Sequence, residues 1–391
     1  MATVVLLGTL DTKGFEYAYL RERLLEHGVG VLLVDAGVNE PLVEPDVSLP
    51  HAEYGDRGAA VAAMADRAED AVRRLHEEGR LDGILALGGS GGTAIATQAM
   101  RALPVGVPKL MVSTMASGDT RPYVGAVDVT MTYSVVDISG INAVSARILA
   151  NAAAAMAGMV TAGPPEAGEG KPLVGASMFG VTTPCVTAAR ERLEGLGYEV
   201  LVFHATGTGG QSLEALMRAG FITAVLDVTT TELADDLVGG VLSAGPDRLE
   251  AAGELGLPQV VSLGALDMVN FGPPDTVPER FRDRLFYEHN PTVTLMRTTP
   301  DECAELGRRI ARKLNAASGP VTLFVPLRGV SMIAVEGQPF HDPEADEALF
   351  SALREELDPS VEVRELELDI NDPAFATAMA ERLHELMGAR V

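Results

Sequence analysis

The sequence predicts an α/β protein made of two doubly wound, Rossmann-like parallel-sheet domains. Three observations carry that expectation. Short apolar runs alternate with longer helical stretches along most of the chain. Glycine- and hydroxyl-rich turns follow the apolar runs, where a parallel sheet hands over to its crossover helices. The 391 residues exceed the ~250–300 that one core ordinarily holds before a chain divides.

The first domain, residues 1–160, opens with strand Thr3–Gly8, helix Gly14–His27 and strand Val31–Asp35. Helix Gly58–Glu78, strand Gly83–Leu87 and helix Thr93–Leu103 follow, a βαβαβα rhythm that predicts a parallel sheet covered on both faces. Strands Lys109–Ser113 and Ala126–Tyr133 and the alanine-rich helix Ile141–Met159 complete the unit. Residues 161–172 (TAGPPEAGEGKP) concentrate Gly, Pro and Glu without apolar periodicity, which is the chemistry of a linker.

The second domain, residues 173–391, repeats the style without repeating the sequence. Strand Leu173–Met178, helix Pro184–Leu196, strand Glu199–His204, helix Gln211–Ala219 and strand Ile222–Asp227 come first. Strands Gln259–Leu263, Thr292–Met296 and Val321–Val325 and helices Asp301–Asn315, Pro343–Leu357 and Asp372–Met387 are expected after them.

Composition narrows the function. Hydrophobic residues at 47% and charged residues at 22% describe a soluble globular chain, not a disordered one. Thirty basic against 55 acidic side chains give a net charge of −25, which repels phosphate backbones and anionic lipid and so predicts neither nucleic-acid nor membrane partners. The first 160 residues carry −7 of that charge and the rest −18, so an anionic ligand is better placed in the first domain. Two cysteines form no disulfide framework, and the start has no basic segment of a signal peptide; both predict a cytoplasmic protein.

Ligands of open parallel sheets sit at the carboxyl ends of the strands. There the first domain places Gly8-Thr9-Leu10-Asp11-Thr12-Lys13-Gly14 after strand one and Gly88-Gly89-Ser90-Gly91-Gly92-Thr93 after strand three. Glycines admit a ligand close to backbone N–H groups, and helix starts attract anions, so a phosphate nest assembled from two loops is expected, with Lys13 as point charge. Neither a Walker A nor a GxGxxG spacing is present. Asp11 or Asp119 can hold Mg²⁺ bridging phosphates, and Asp35, at the end of strand two, is placed to accept a ribose hydroxyl or to cap a turn. Ser113, Thr114, Ser117, Gly118 and Asp119 form a further polar loop at the same edge.

In the second domain Cys185 falls in the first turn of a helix, where a thiol can become a nucleophile or simply pack as a small buried residue. His204 precedes the glycine-rich Thr206–Gly210 run, and Glu232, Asp267, His289 and Arg297 lie in polar clusters at expected strand ends. Together they suggest an acid/base and carboxylate-clamping pocket for a small-molecule ligand, or salt-bridged loop packing. No zinc-ligand spacing and no GxSxG elbow occur.

The runs Gly8–Gly14, Leu87–Thr93 and Ser113–Asp119 resemble the N-terminal domain of the tomato mosaic virus resistance protein family, a Tm-one-like ATP-binding family. Phe203–Gly210, Thr229–Asp235, Ser243–Arg248, Gly264–Phe271 and His289–Thr299 resemble its C-terminal half, so the resemblance spans nearly the whole chain. It implies a two-domain homodimer that binds ATP with Mg²⁺ in the first domain, through Thr9, Asp11, Thr12, Lys13, Gly88–Thr93 and Ser113–Asp119. Longer relatives continue into a C-terminal TIM-barrel module, whose chemistry is not expected in a chain that stops at Val391. The leading reading is therefore an ATP-binding protein with a second-domain metabolite site. A nucleotide-independent hydrolase or lyase of a small keto acid or acyl compound, and a non-catalytic ligand sensor, stand beside it.

Overall fold

In the first unit, alternate residues of each buried strand face opposite layers of helices. A computed structural model describes residues 1–50, 55–163 and 170–388 of the chain. Two compact units emerge, Met1–Gly168 and Glu169–Val391. The expected linker 161–172 lies partly outside the described residues, at 164–169.

The first unit runs β1 (Thr3–Gly8), α1 (Leu10–Glu26), β2 (Gly30–Asp35), β3 (Val47–Ser48), α2 (Arg57–Glu77), β4 (Gly83–Gly88), α3 (Ser90–Arg101), β5 (Lys109–Ser113), α4 (Arg121–Val124), β6 (Thr130–Tyr133) and α5 (Ala143–Ala162). Its sheet order is β3-β2-β1-β4-β5-β6, with every pair parallel. Val5, Leu7, Ile84, Ala86 and Met111 pack under α2 and α3. Val4, Leu6, Leu85, Leu87, Leu110 and Val112 pack under α1 and α5. The period-2 alternation thus builds one core on each face of the sheet. Strand order reverses between β1 and β4, the topological switch point at which such sheets open a crevice.

Tyr17 of α1 closes the base of that crevice. Its buried hydroxyl lies 2.6 Å from the Leu7 carbonyl and 2.9 Å from the Leu87 carbonyl, and accepts the Leu87 N–H at 2.9 Å. Burial pushes the phenol well above its usual range. Its ring occupies the space beside Gly8, where an added Cβ would stand 2.0 Å from it.

Two differences from the sequence reading matter for the site. The polar stretches after β1 and β4 are the first turns of α1 and α3 and not free loops, because Thr9 and Gly89 serve as N-caps and the helices begin at once. Lys13 alone departs from helical backbone there.

The second unit contains β7 (Leu173–Met178), α6 (Thr183–Gly195), β8 (Glu199–His204), α7 (Thr208–Arg218), β9 (Ala224–Thr229), α8 (Glu232–Val238), α9 (Ala251–Glu254) and β10 (Gln259–Gly264). It continues with β11 (Met268–Phe271), β12 (Phe286–Asn290), β13 (Val293–Arg297), α10 (Pro300–Asn315), β14 (Val321–Pro326), α11 (Pro343–Glu356), β15 (Glu362–Leu366) and α12 (Pro373–Gly388). The parallel sheet β15-β14-β10-β9-β7-β8 has the flavodoxin-like order, reversing between β7 and β9. The expected strand at Thr292–Met296 belongs elsewhere: β13 pairs antiparallel with β11 and β12 in a separate three-stranded sheet. Its partners are a four-residue run, MVNF, and a polar one, FYEHN, both too short for an apolar period to show.

Gly8→Ala is expected to cost about 1–3 kcal/mol or more, since Tyr17 must leave its hydrogen bonds or the sheet must spread. Urea unfolding measures it, and a loss below about 0.5 kcal/mol would show that Tyr17 is not a brace.

Candidate functional site

Three helices, α1, α2 and α3, begin at the carboxyl edge of the first sheet, and a cavity of about 560 Å³ opens among their first turns. Thr9, Asp11, Thr12 and Lys13 line it from α1, and Gly88, Gly89, Ser90, Gly91 and Gly92 from the start of α3. From α2 come Arg57, Ala60, Val61 and Met64, spaced i, i+3, i+4, i+7 and therefore on one helical face. Ala36, Val38 and Asn39 after β2, Ile95 of α3 and Asp137 after β6 complete the wall.

The start of α3 has the features of an anion site. Gly89 offers no side chain to cap it, and the first-turn N–H groups have no partner within the helix. Thr93 is turned inward instead: its fully buried hydroxyl pairs with Ser113 Oγ at 2.7 Å and so ties α3 to the end of β5. Ser113 also accepts the Met115 N–H at 2.9 Å, which makes it a turn-former.

The start of α1 is different because the protein fills it. Asp35, fully buried, accepts the Leu10 N–H at 3.0 Å and the Gly37 N–H at 2.8 Å, so its role is the turn-capping alternative and it lies behind the cavity wall. Asp11 Oδ2 accepts from Val38 N, Asn39 N and Asn39 Nδ2 at 3.3, 3.2 and 3.0 Å, while its buried Oδ1 has no hydrogen-bond partner. Lys13 Nζ donates to the Ile138 carbonyl, and Glu16 Oε1 accepts the Gly140 N–H at 2.6 Å, so α1 straps down the segment after β6. Gly14 is buried in the same turn.

The other expected contacts of this edge fall away from the cavity. Thr114, Ser117, Gly118 and Asp119 do not line it, and the last three are exposed. Asp119 is bound to Arg121 at 2.7 Å, which holds its carboxyl down at about 2. Among the described residues no group of three or more His, Cys, Asp or Glu is arranged to hold a metal. Of the two expected metal ligands only Asp11 faces the cavity.

The second unit commits most of its expected catalytic groups to its own fold. Glu232 is fully buried, and its Oε1 accepts the N–H groups of Gly207 and Gly210 at 2.7 and 3.0 Å. The glycine-rich start of α7 is thus an anion nest whose anion is a side chain of the same chain. Gly210 is required there, since a Cβ would stand 2.1 Å from Glu232 Oε2. Arg248, also buried, donates to Glu232 at 2.7 Å and to both oxygens of Asp227 at 2.5 and 2.7 Å.

Asp267 and Arg297 belong to a second buried network. Ser331 Oγ donates to Asp267 at 2.8 Å, and Arg297 reaches Asp346 at 2.7 Å, so its guanidinium is clamped by the protein's own carboxylate. Burial pushes Asp267 up to about 6 against the opposing pull of Arg297. Cys185 is completely buried and its thiol is pushed up to about 12 by burial and the Asp369 charge, which removes it as a nucleophile. His204 is exposed at the end of the edge strand β8, stacked on Phe179 at 5.4 Å. His289 is exposed on β12 of the other sheet. No hydrogen bond among the described residues joins either histidine ring to Glu232 or Asp267, so these residues form no acid/base set.

Arg57, Asn39 and Asp137 are lining residues that the sequence reading did not single out. The available signal for Arg57 is its place behind Asp56, whose carboxylate caps α2 by accepting Ala59 N–H at 2.9 Å.

The N-terminal domain of "Uncharacterised protein family (UPF0261)" matches residues 2–165, and its C-terminal domain matches residues 171–387. A UPF0261 protein of Clostridium tetani is 52% identical, over 98% of this chain and 98% of that protein. One of Mesorhizobium japonicum is 48% identical, over 97% and 98%. The ToMV resistance protein Tm-1(GCR237) of Solanum lycopersicum is 43% identical over 98% of this chain, which spans 55% of that protein. Among solved structures, UDP-N-acetylglucosamine 2-epimerase from Rickettsia bellii is 11% identical with a TM-score of 0.26, covering 100% of this chain and 96% of that one, a likeness too slight to carry an argument.

Two outcomes follow from the buried groups. Asp235 is pushed up to about 7 and Asp267 up to about 6, both chiefly by burial. Folded values above those of the unfolded chain mean stability that is complete below about pH 4 and lost as pH rises through 6 and 7. Thermal unfolding at pH 5.5 and 8.5 should give the lower midpoint at the higher pH, with a shallower fall in Asp235→Asn; a midpoint that rises with pH contradicts it. With Cys303 also buried and pushed up to about 11, neither native thiol should react with iodoacetamide at a rate approaching that in urea. Rapid native labelling of Cys185 would reverse its exclusion.

Proposed function

The chain belongs to the uncharacterised protein family UPF0261, and on that premise we propose that its first unit binds ATP together with Mg²⁺ in the cavity among α1, α2 and α3. One observation carries the reading: the capless, glycine-rich start of α3 lines a cavity of about 560 Å³ at the switch point of a parallel sheet. That size lies within the ~300–1,000 Å³ of small-molecule sites. First-turn N–H groups and the helix dipole suit a phosphate, and the face of α2 formed by Ala60, Val61 and Met64, with Ile95 opposite, suits an apolar body such as a base.

Asp11 fits a cation at this place, because its buried Oδ1 has no hydrogen-bond partner while its other oxygen is held by Asn39. When bound, Mg²⁺ supplies charge neutralisation between that carboxylate and the phosphate oxygens. Asp119 does not fit, being tied to Arg121 in the open. The role proposed for the unit is nucleotide binding, in a protein that assembles as a homodimer. The hydrolase or lyase reading loses its support, since Glu232, Asp267 and Arg297 are engaged inside the fold and Cys185 is inert.

Isothermal titration with ATP and Mg²⁺ tests the proposal. One saturable site per chain is expected, weakened by about tenfold or more in Lys13→Ala, the scale of one hydrogen bond to a charged group. Wild-type protein that takes up no nucleotide, or a Lys13→Ala variant that binds equally well, refutes it.

A further inference from the structure

We propose that Arg57 is the residue that distinguishes nucleotides by phosphate number in this cavity, so that it favours tri- and diphosphates over monophosphates. This rests on the nucleotide reading of the same cavity and adds to it the substrate class and the side chain that selects it.

Charges around the cavity differ in how far they are already engaged. Four ionisable side chains besides any ligand line it: Asp11, Lys13, Arg57 and Asp137. Lys13 donates to the Ile138 carbonyl, so part of its hydrogen-bonding capacity holds the strap after β6. Arg57, among the described residues, makes no hydrogen bond and no ion pair. Its exposed guanidinium is therefore free to meet a ligand in the cavity it lines. Further along the same helix Arg73 pairs with Glu69 at 2.7 Å, whereas Arg57 is the arginine of α2 that lines the cavity. The nearest acid in sequence, Asp56, caps the helix through Ala59 N–H.

Position supports the same role. Arg57 is the first residue of α2 and shares the lining face of Ala60, Val61 and Met64, so it occupies the end of an otherwise apolar wall nearest the helix starts. The first turn of α3 offers free N–H groups and a helix dipole of about half a positive charge, which suits the seating of one phosphate. Each further phosphate adds negative charge to a wall that already carries Asp11 and Asp137, and must be balanced by a cation. A guanidinium offers five donors in a planar fork that grips phosphate bidentately, where an ammonium acts as a point charge. A monophosphate seated at α3 needs no such partner.

The experiment is competition titration of AMP, ADP and ATP, with and without Mg²⁺, against wild type, Arg57→Ala, Arg57→Lys and the control Arg74→Ala from the far end of α2. Arg57→Ala should lower ATP affinity about 10- to 100-fold and change AMP affinity by less than about threefold, thereby compressing the ATP/AMP preference. Arg57→Lys should recover part of the loss, and Arg74→Ala none of it. Equal losses for AMP and ATP, or an Arg57→Ala variant with wild-type preference, overturn the assignment while leaving nucleotide binding intact. Wild type that binds none of the three overturns the nucleotide reading and this inference together.

Discussion

The first unit depends on one buried hydroxyl. Where strand order reverses, β1 and β4 must lie side by side while their helices leave on opposite faces, and the crevice above them would otherwise close by sheet contact or open by fraying. Tyr17 prevents both, filling the space that Gly8 leaves free and bonding to Leu7 on one strand and Leu87 on the other. A phenol this deep is worth keeping only because its polar end is satisfied. The strands it joins lead directly into the starts of α1 and α3, which line the cavity.

Three of the helix starts at the carboxyl edges of the two sheets show how differently the protein uses an anion-attracting position. At α1 the buried Asp35 takes the first N–H group, and at α7 Glu232 takes two. Only the start of α3, of these three, is capped by no carboxylate of the chain and borders a cavity. Glu232 is in turn neutralised by Arg248, which also holds Asp227, so a polar cluster that looks catalytic in sequence is a cross-brace between β9 and its neighbouring helices. Such a buried pair is costly to break and carries no chemistry of its own.

The acidity of the chain acquires a local meaning from this. Nineteen acidic side chains lie in the first 160 residues, yet the cavity itself is lined by two acids and two bases. Local charge balance at the cavity thus differs from that of the chain as a whole.

By itself the sequence determined the class of fold, the strand–helix rhythm and the edge at which a ligand site should lie. Those follow from apolar spacing and from glycine, and both are local signals. Gly8–Gly14 and Gly88–Thr93 were legible as partners because glycine-rich turns after parallel strands point to one edge. The tertiary structure alone decided which polar residues are available. Nothing local distinguishes Glu232 from a catalytic acid, since the arginine that engages it is sixteen positions away and the N–H groups it caps belong to another helix. Nor does Cys185 show in sequence that its helix start is sealed. Arg57 is inconspicuous in sequence for the converse reason: that it lines the cavity with no hydrogen bond or ion pair among the described residues is a property of packing, not of order along the chain.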